Sequence, residues 1–175
     1  MTVLRPADAA ELHDVLAGYR LWEEDRAFTV TPLVGGLTNN NYRVAVEGLG
    51  RDYFVKVPGP GTDGFIDRAT AAAASQQAAA MGVGPAVFHV DDATGIEISE
   101  YLDGYQPCTA WEVALPDYCA ELMRLFRTWN SGPVLPQTKT VFDMVDEHYD
   151  QVLRDGTVMP GWVDDVLAAY REAKA

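Results

Sequence analysis

The hydrophobic positions change period along this chain. Residues 7–19 set Leu12, Val15, Leu16 and Tyr19 on one side of a 3.6-residue repeat, which predicts a helix. Phe28 to Leu33 reads as a strand that runs into Gly35-Gly36. From Asn41 to Glu47 the period drops to two, with Tyr42, Val44 and Val46 alternating against Arg43, Ala45 and Glu47. Residues 48–52 form a turn, and Tyr53–Val57 pairs back. Pro58-Gly59-Pro60-Gly61 stops that strand, because proline has no N–H to give the ladder. Residues 66–81 predict a helix, half of them alanine, with Gly82 as its natural end and Gly84-Pro85 as the break. Ala86–Val90 and Ile96–Tyr101 predict a hairpin around residues 91–95.

After Asp103-Gly104 only helical patterns follow. Residues 115–129 group Leu122, Leu125, Phe126 and Trp129 on one face, and residues 141–154 group Phe142, Val145, Tyr149, Val152 and Leu153. Residues 162–173 make a last helix. The fold class is therefore α+β: a helix, a five-stranded antiparallel block with one helix inserted after its third strand, then helices alone. The shift in pattern places a sheet lobe at residues 1–99, a hinge at 100–104 and a helical segment at 105–175.

With 175 residues and 48% hydrophobic content, the chain can build one ordinary core or two small lobes. The net charge of −13 is spread evenly, with 13 acidic residues up to position 99 and 13 beyond it. Without a basic stripe, nucleic acid and anionic membrane are excluded as expected partners. Cys108 and Cys119, the only cysteines, have no CxxC spacing, so a reduced cytoplasmic protein is expected. No apolar run approaches the roughly 18 residues of a membrane span. The opening Met1-Thr2-Val3-Leu4-Arg5-Pro6 does not read as a signal peptide.

Two features carry candidate chemistry. Gly35-Gly36-Leu37-Thr38-Asn39-Asn40 combines a backbone free of side-chain bulk with asparagines that tolerate unusual backbone angles, as a loop over phosphates needs. Alone it reads as an ordinary hairpin turn. It is not a Walker A loop, because no Gly-Lys-Ser/Thr follows. Lys56 is the only lysine before residue 139 and stands alone in the apolar run Tyr53–Val57. A cation there needs an anion, and a phosphate is the expected one; the plainer alternative is an edge-strand charge that blocks aggregation.

These residues, with Val55-Lys56-Val57-Pro58-Gly59, Ile66-Asp67-Arg68, Gly82-Val83-Gly84-Pro85 and Gly95 to Gly104, appear in an order that resembles the small lobe of choline/ethanolamine kinases and the wider aminoglycoside-phosphotransferase-like kinases. The likeness is strongest from Leu33 to Gly104. It implies a protein-kinase-like small lobe followed by helices of an incomplete large lobe. ATP, with Mg²⁺, would lie between the lobes, and a small alcohol such as choline or ethanolamine would accept the γ-phosphate. By this likeness Gly35, Gly36, Leu37, Thr38, Asn39 and Asn40 cover the phosphates, Lys56 contacts them, and Glu100, Tyr101 and Leu102 form the hinge beside adenine.

The resemblance also implies parts that are missing. Such kinases hold the strand lysine with a glutamate on the next helix. Its place falls at or near Ala71, and no carboxylate occurs between Asp67 and Asp91. Asp67 could substitute, nucleotide alone could hold the lysine, or the site could be impaired. No catalytic loop or magnesium ligands are found: His148-Tyr149-Asp150 has the spacing but falls inside an amphipathic helical pattern. Tyr105 and Trp111 read as core packing rather than a quaternary-ammonium cage. The expectation is a phosphotransferase whose residues here have no turnover by themselves. The alternative is a non-catalytic kinase-like module that binds nucleotide or a protein, including a homodimer through an apolar surface.

Overall fold

The computed structural model describes residues 5–22, 26–64 and 66–174. The opening Met1 to Leu4 lies outside the described residues. The elements run α1 (Ala9–Tyr19), β1 (Phe28–Leu33), β2 (Asn39–Val46), β3 (Asp52–Pro58), a 3-10 turn at Thr62–Gly64, α2 (Arg68–Ala80), β4 (Val87–Val90), β5 (Glu97–Glu100), α3 (Ala110–Val113), α4 (Pro116–Asn130), α5 (Val141–Arg154) and α6 (Val163–Lys174). The α+β expectation holds. One antiparallel sheet of five strands has the order β1-β2-β3-β5-β4. Contacts divide the chain into two units, one up to Pro136 and one from Gln137.

In the first unit the core lies between α1 and one face of the sheet. Leu12 and Leu16 of α1 pack with Tyr42, Val44 and Val46 of β2, Tyr53, Val55 and Val57 of β3, and Ile96 and Ile98 at β5. These are the alternating positions of each strand, so the opposite set faces the other way. Asp8 starts α1 by accepting hydrogen bonds from the Ala10 and Glu11 N–H groups. Asp67 starts α2 in the same way, accepting from the Thr70 N–H at 2.7 Å.

The second unit is a helix pair. Thr140 and Asp143 form a reciprocal capping box at the start of α5. The Tyr170 hydroxyl of α6 donates to the Phe142 carbonyl at 2.8 Å and lies 2.7 Å from the Asp146 carboxylate, and Lys174 pairs with Asp146. The His148-Tyr149-Asp150 triplet lies inside α5.

Two differences from the sequence reading have simple causes. β2 begins at Asn39, so Asn39 and Asn40 are strand residues paired with Pro58 and Val57 rather than part of the loop. The short α3 was not expected, since four residues are too few to display a period; its Thr109–Glu112 capping box was the available signal.

Candidate nucleotide site

Register builds the site. On the sheet face away from α1, Leu33, Asn41, Lys56 and Glu97 stand directly opposite one another across β1, β2, β3 and β5. Asn41 Nδ2 donates to the Gly35 carbonyl at 3.2 Å, tying this row to the glycine turn. The turn needs glycine at position 36: with φ at 106°, an added Cβ would stand 2.6 Å from the Asn39 carbonyl oxygen and 2.8 Å from Asn41 Nδ2. The Gly59 N–H donates to the Thr38 carbonyl at 2.8 Å, pinning the turn's end to the segment after β3. Val34 and Leu37 at the turn are fully exposed.

Lys56 Nζ lies 3.1 Å from Glu97 Oε2, and the two side chains are 27% and 10% exposed. Lys56 is therefore paired across the strands, with Glu97 of β5. Asp67, the other carboxylate considered for this role, accepts from the Thr70 N–H at the start of α2. Glu97 was missed because strand pairing is non-local. Yet it carried a signal like that of Lys56: a charge flanked by two apolar residues, here Ile96 and Ile98. A cleft of about 270 Å³ opens beside this pair, lined by Asn39, Ala71, Ala72, Val90 and Gly95 among others.

The Asn39 Oδ1 atom is buried without a partner, while its Nδ2 is 3.3 Å from Thr38 Oγ1. Turning the amide over keeps the Thr38 contact, with the hydroxyl then donating, and gives N–H donors in place of the orphan acceptor.

A second, larger cleft of about 900 Å³ runs along the segment that follows β5. Its lining includes Glu100, Tyr101, Leu102 and Tyr105, with Arg43 and Asp52 from the sheet and Gly82–Pro85 from the end of α2. Arg43 donates to Asp52 through Nε at 2.5 Å, and its guanidinium carbon sits 4.6 Å from the Tyr101 ring centroid. That hydrogen bond to Asp52 is the main cause holding the Arg43 pKa above its ordinary value. The Glu100 N–H is taken by the Ala86 carbonyl at 2.8 Å and the Tyr101 N–H by the Asp52 carbonyl at 3.2 Å. Among the described residues no acceptor faces the Leu102 N–H. Tyr105 and Trp111, read as core packing, are each 76% exposed, so neither packs in a core here.

The segment after β3 is braced from below. Arg5 donates to both carboxylate oxygens of Asp63, at 2.9 and 2.7 Å, and through Nε to the Thr94 carbonyl at 2.6 Å. Arg68 adds a bond to Asp63 at 3.3 Å. These donors, Arg5 first, hold the Asp63 carboxyl below the usual carboxylate range.

Among the described residues no group of three or more His, Cys, Asp or Glu side chains could hold a metal ion. No described helix is long and apolar enough to cross a membrane.

A small sheet with a glycine turn, a strand lysine and a cleft along the segment after β5 has the layout of a kinase-like nucleotide lobe. The solved structures agree in fold. A choline/ethanolamine kinase family protein from Mesorhizobium loti matches with a TM-score of 0.68 and 30% identity, covering 94% of this chain and 51% of that one. Choline kinase from Cryptosporidium parvum matches with a TM-score of 0.68 and 16% identity, over 91% of this chain and 49% of that one. Choline kinase LicA from Streptococcus pneumoniae matches with a TM-score of 0.63 and 19% identity, over 81% of this chain and 48% of that one, and LicA in complex with AMP matches with a TM-score of 0.62 and 20% identity, over 78% of this chain and 47% of that one. The resemblance to the choline/ethanolamine kinase family thus extends over nearly the whole chain, including the helices beyond Gly104. The chain spans about half the length of the structures that it matches. No protein-family model and no curated protein matches it.

Proposed function

We propose that these residues form the nucleotide-holding part of a phosphotransferase that moves the γ-phosphate of ATP to a small alcohol, with choline or ethanolamine as the first candidates. The observation that carries this reading is the row under the glycine turn: Asn41 fixes Gly35, and the partly buried Lys56 stands beside it on the same face. In this reading the turn from Gly35 to Thr38 covers the phosphates with backbone N–H groups, Asn39 and Asn40 at the start of β2 flank them, and Lys56 neutralises their charge. The Leu102 N–H, free of an internal acceptor among the described residues, meets adenine in the hinge cleft beside Glu100 and Tyr101.

The described residues do not fit a magnesium site, so no step is assigned to the metal. What they do is bind and position, which is most of what a phosphoryl transfer asks of a protein. The base that would accept the alcohol's proton has no candidate here, so the chain by itself is expected to show no turnover. A cytoplasmic setting suits the two free, exposed thiols.

A second reading is a non-catalytic kinase-like module, either nucleotide-binding or joined to a protein, a second copy of itself included. Exposed apolar side chains such as Phe126 on α4 and Val141 on α5 favour it. Calorimetric titration of Mg-ATP, with Lys56→Ala as control, tests the first reading. Binding that the substitution abolishes supports it. Absence of binding to the parent chain removes it, and a mass that rises with concentration in light scattering would then favour self-association.

A further inference from the structure

In kinase-like sites the strand lysine is oriented by a glutamate on the neighbouring helix. Here that helix has no carboxylate from Arg68 to Ala80, and small side chains, Ala71 and Ala72, line the cleft where one would reach in. We propose that Glu97 is the positioning residue for Lys56, supplying from β5 the carboxylate that α2 lacks; the assignment rests on the reading of Lys56 as a phosphate contact.

The geometry is direct. Lys56 and Glu97 are register partners on adjacent antiparallel strands, so both side chains leave the same face a few ångströms apart. Their charged atoms meet at 3.1 Å, and Glu97 is the more buried partner. A buried carboxylate of this kind is retained only when it is paired, and its neighbours Ile96 and Ile98 are fully buried and hold the strand rigidly. Asn41 on β2 is the register partner of Lys56 on its other side and also donates to the Gly35 carbonyl.

The consequence is mechanical. When a helix carries the carboxylate, moving the helix breaks the pair. With both charges on one sheet, the lysine keeps its place whatever α2 does. Position is fixed by strand pairing, and α2 is free to carry alanine.

Lysine side-chain dynamics test this without nucleotide. The chain has three lysines, at 56, 139 and 174, so their Cε signals are resolvable by NMR. In the parent chain the Lys56 Cε order parameter is expected to exceed those of the other two. Glu97→Gln, which preserves volume, should lower it by about a third, and Glu97→Asp by less. Adding Ala71→Glu to Glu97→Gln should restore it. Lys139 and Lys174 should not change, and unshifted amide signals of Val44 and Val46 in the sheet core separate loss of the pair from loss of the fold. An unchanged Lys56 order parameter in Glu97→Gln, or a loosening that Ala71→Glu leaves in place, would overturn the assignment.

Mg-ATP titration is read separately. Glu97→Gln should weaken binding about fivefold, as expected for losing one partly buried ion pair. If the parent chain binds no Mg-ATP, the phosphate reading fails while the lysine dynamics still decide whether Glu97 positions Lys56. If the parent binds and Glu97→Gln binds equally well, the positioning role fails and the phosphate reading stands.

Discussion

The sheet block and the helices beyond Gly104 have equally clear periodicity, but only the first owns a core. Around α1 and the sheet, Leu12, Leu16, Val44, Val55, Val57, Ile96 and Ile98 are completely buried. Among the described residues after Gly104, only Leu167 is buried. α4 and α5 are strongly amphipathic, yet neither has a buried residue. The difference teaches that a helical period is a local property, set by the order of side chains. Burial needs a second layer, and the sheet block has one within the same hundred residues.

The sharpest way to break this comparison is to cut one apolar side chain in each region. Leu16→Ala should cost about 3 kcal/mol, because a fully buried leucine leaves both lost transfer energy and a cavity. Leu153→Ala on the exposed face of α5 should stay within about 0.5 kcal/mol. Urea midpoints at constant m-value measure both; equal losses would mean that α5 is covered in solution.

Within the sheet block, Gly36→Ala is the next largest effect. It combines a positive φ with a contact against the Asn39 carbonyl, and about 2 kcal/mol is expected. Gly35→Ala has the unfavourable φ but meets nothing within 4 Å, so it should cost less. Thermal melting of the two variants compares them; equal shifts would mean that the close approach at Gly36 is not what the turn requires.

Alkaline pH should weaken the sheet block through Tyr19. Burial first, then its hydrogen bond to Asp91, pushes the Tyr19 hydroxyl up to about 12. The folded value lies above the unfolded one of about 10, so this stabilisation is complete below pH ~10 and is lost as pH rises through 12. Tyr19→Phe should flatten the stability profile in that window, as followed by urea unfolding at stepped pH.

The smallest expected effect lies at the exposed Asp63. Its carboxyl is held low chiefly by the Arg5 hydrogen bond, so its contribution is present above the unfolded value of about 3.9 and is lost as pH falls through the folded one. Asp63→Asn should remove a small part of the acid slope. A slope as steep as that of the parent would assign acid sensitivity to other carboxylates, with Asp91 the first candidate because Tyr19 and Thr94 also hold it low.

What was legible in the sequence was local. Alternation at Tyr42, Val44 and Val46 found β2, the alanines found α2, and Gly35-Gly36 found the turn. Lys56 declared itself as one charge in an apolar run. Its partner did not, because the pairing of β3 with β5 bridges about 40 residues and no local period encodes it. Glu97 nonetheless sits between Ile96 and Ile98 as Lys56 sits between Val55 and Val57. A charge flanked by apolar residues on both sides, in each of two neighbouring strands, was the signal available. Tyr105 and Trp111 misled for the opposite reason: aromatic character argues for burial on average, but burial depends on a second layer that their own segment does not provide.

The measurement that tests the central claim most directly is amide shift mapping during a Mg-ATP titration. The account predicts perturbations at Gly35 to Asn41, at Lys56 and at Glu100 to Leu102, and their loss in Lys56→Ala. Perturbations confined to α5 and α6, or none at millimolar nucleotide, would contradict it.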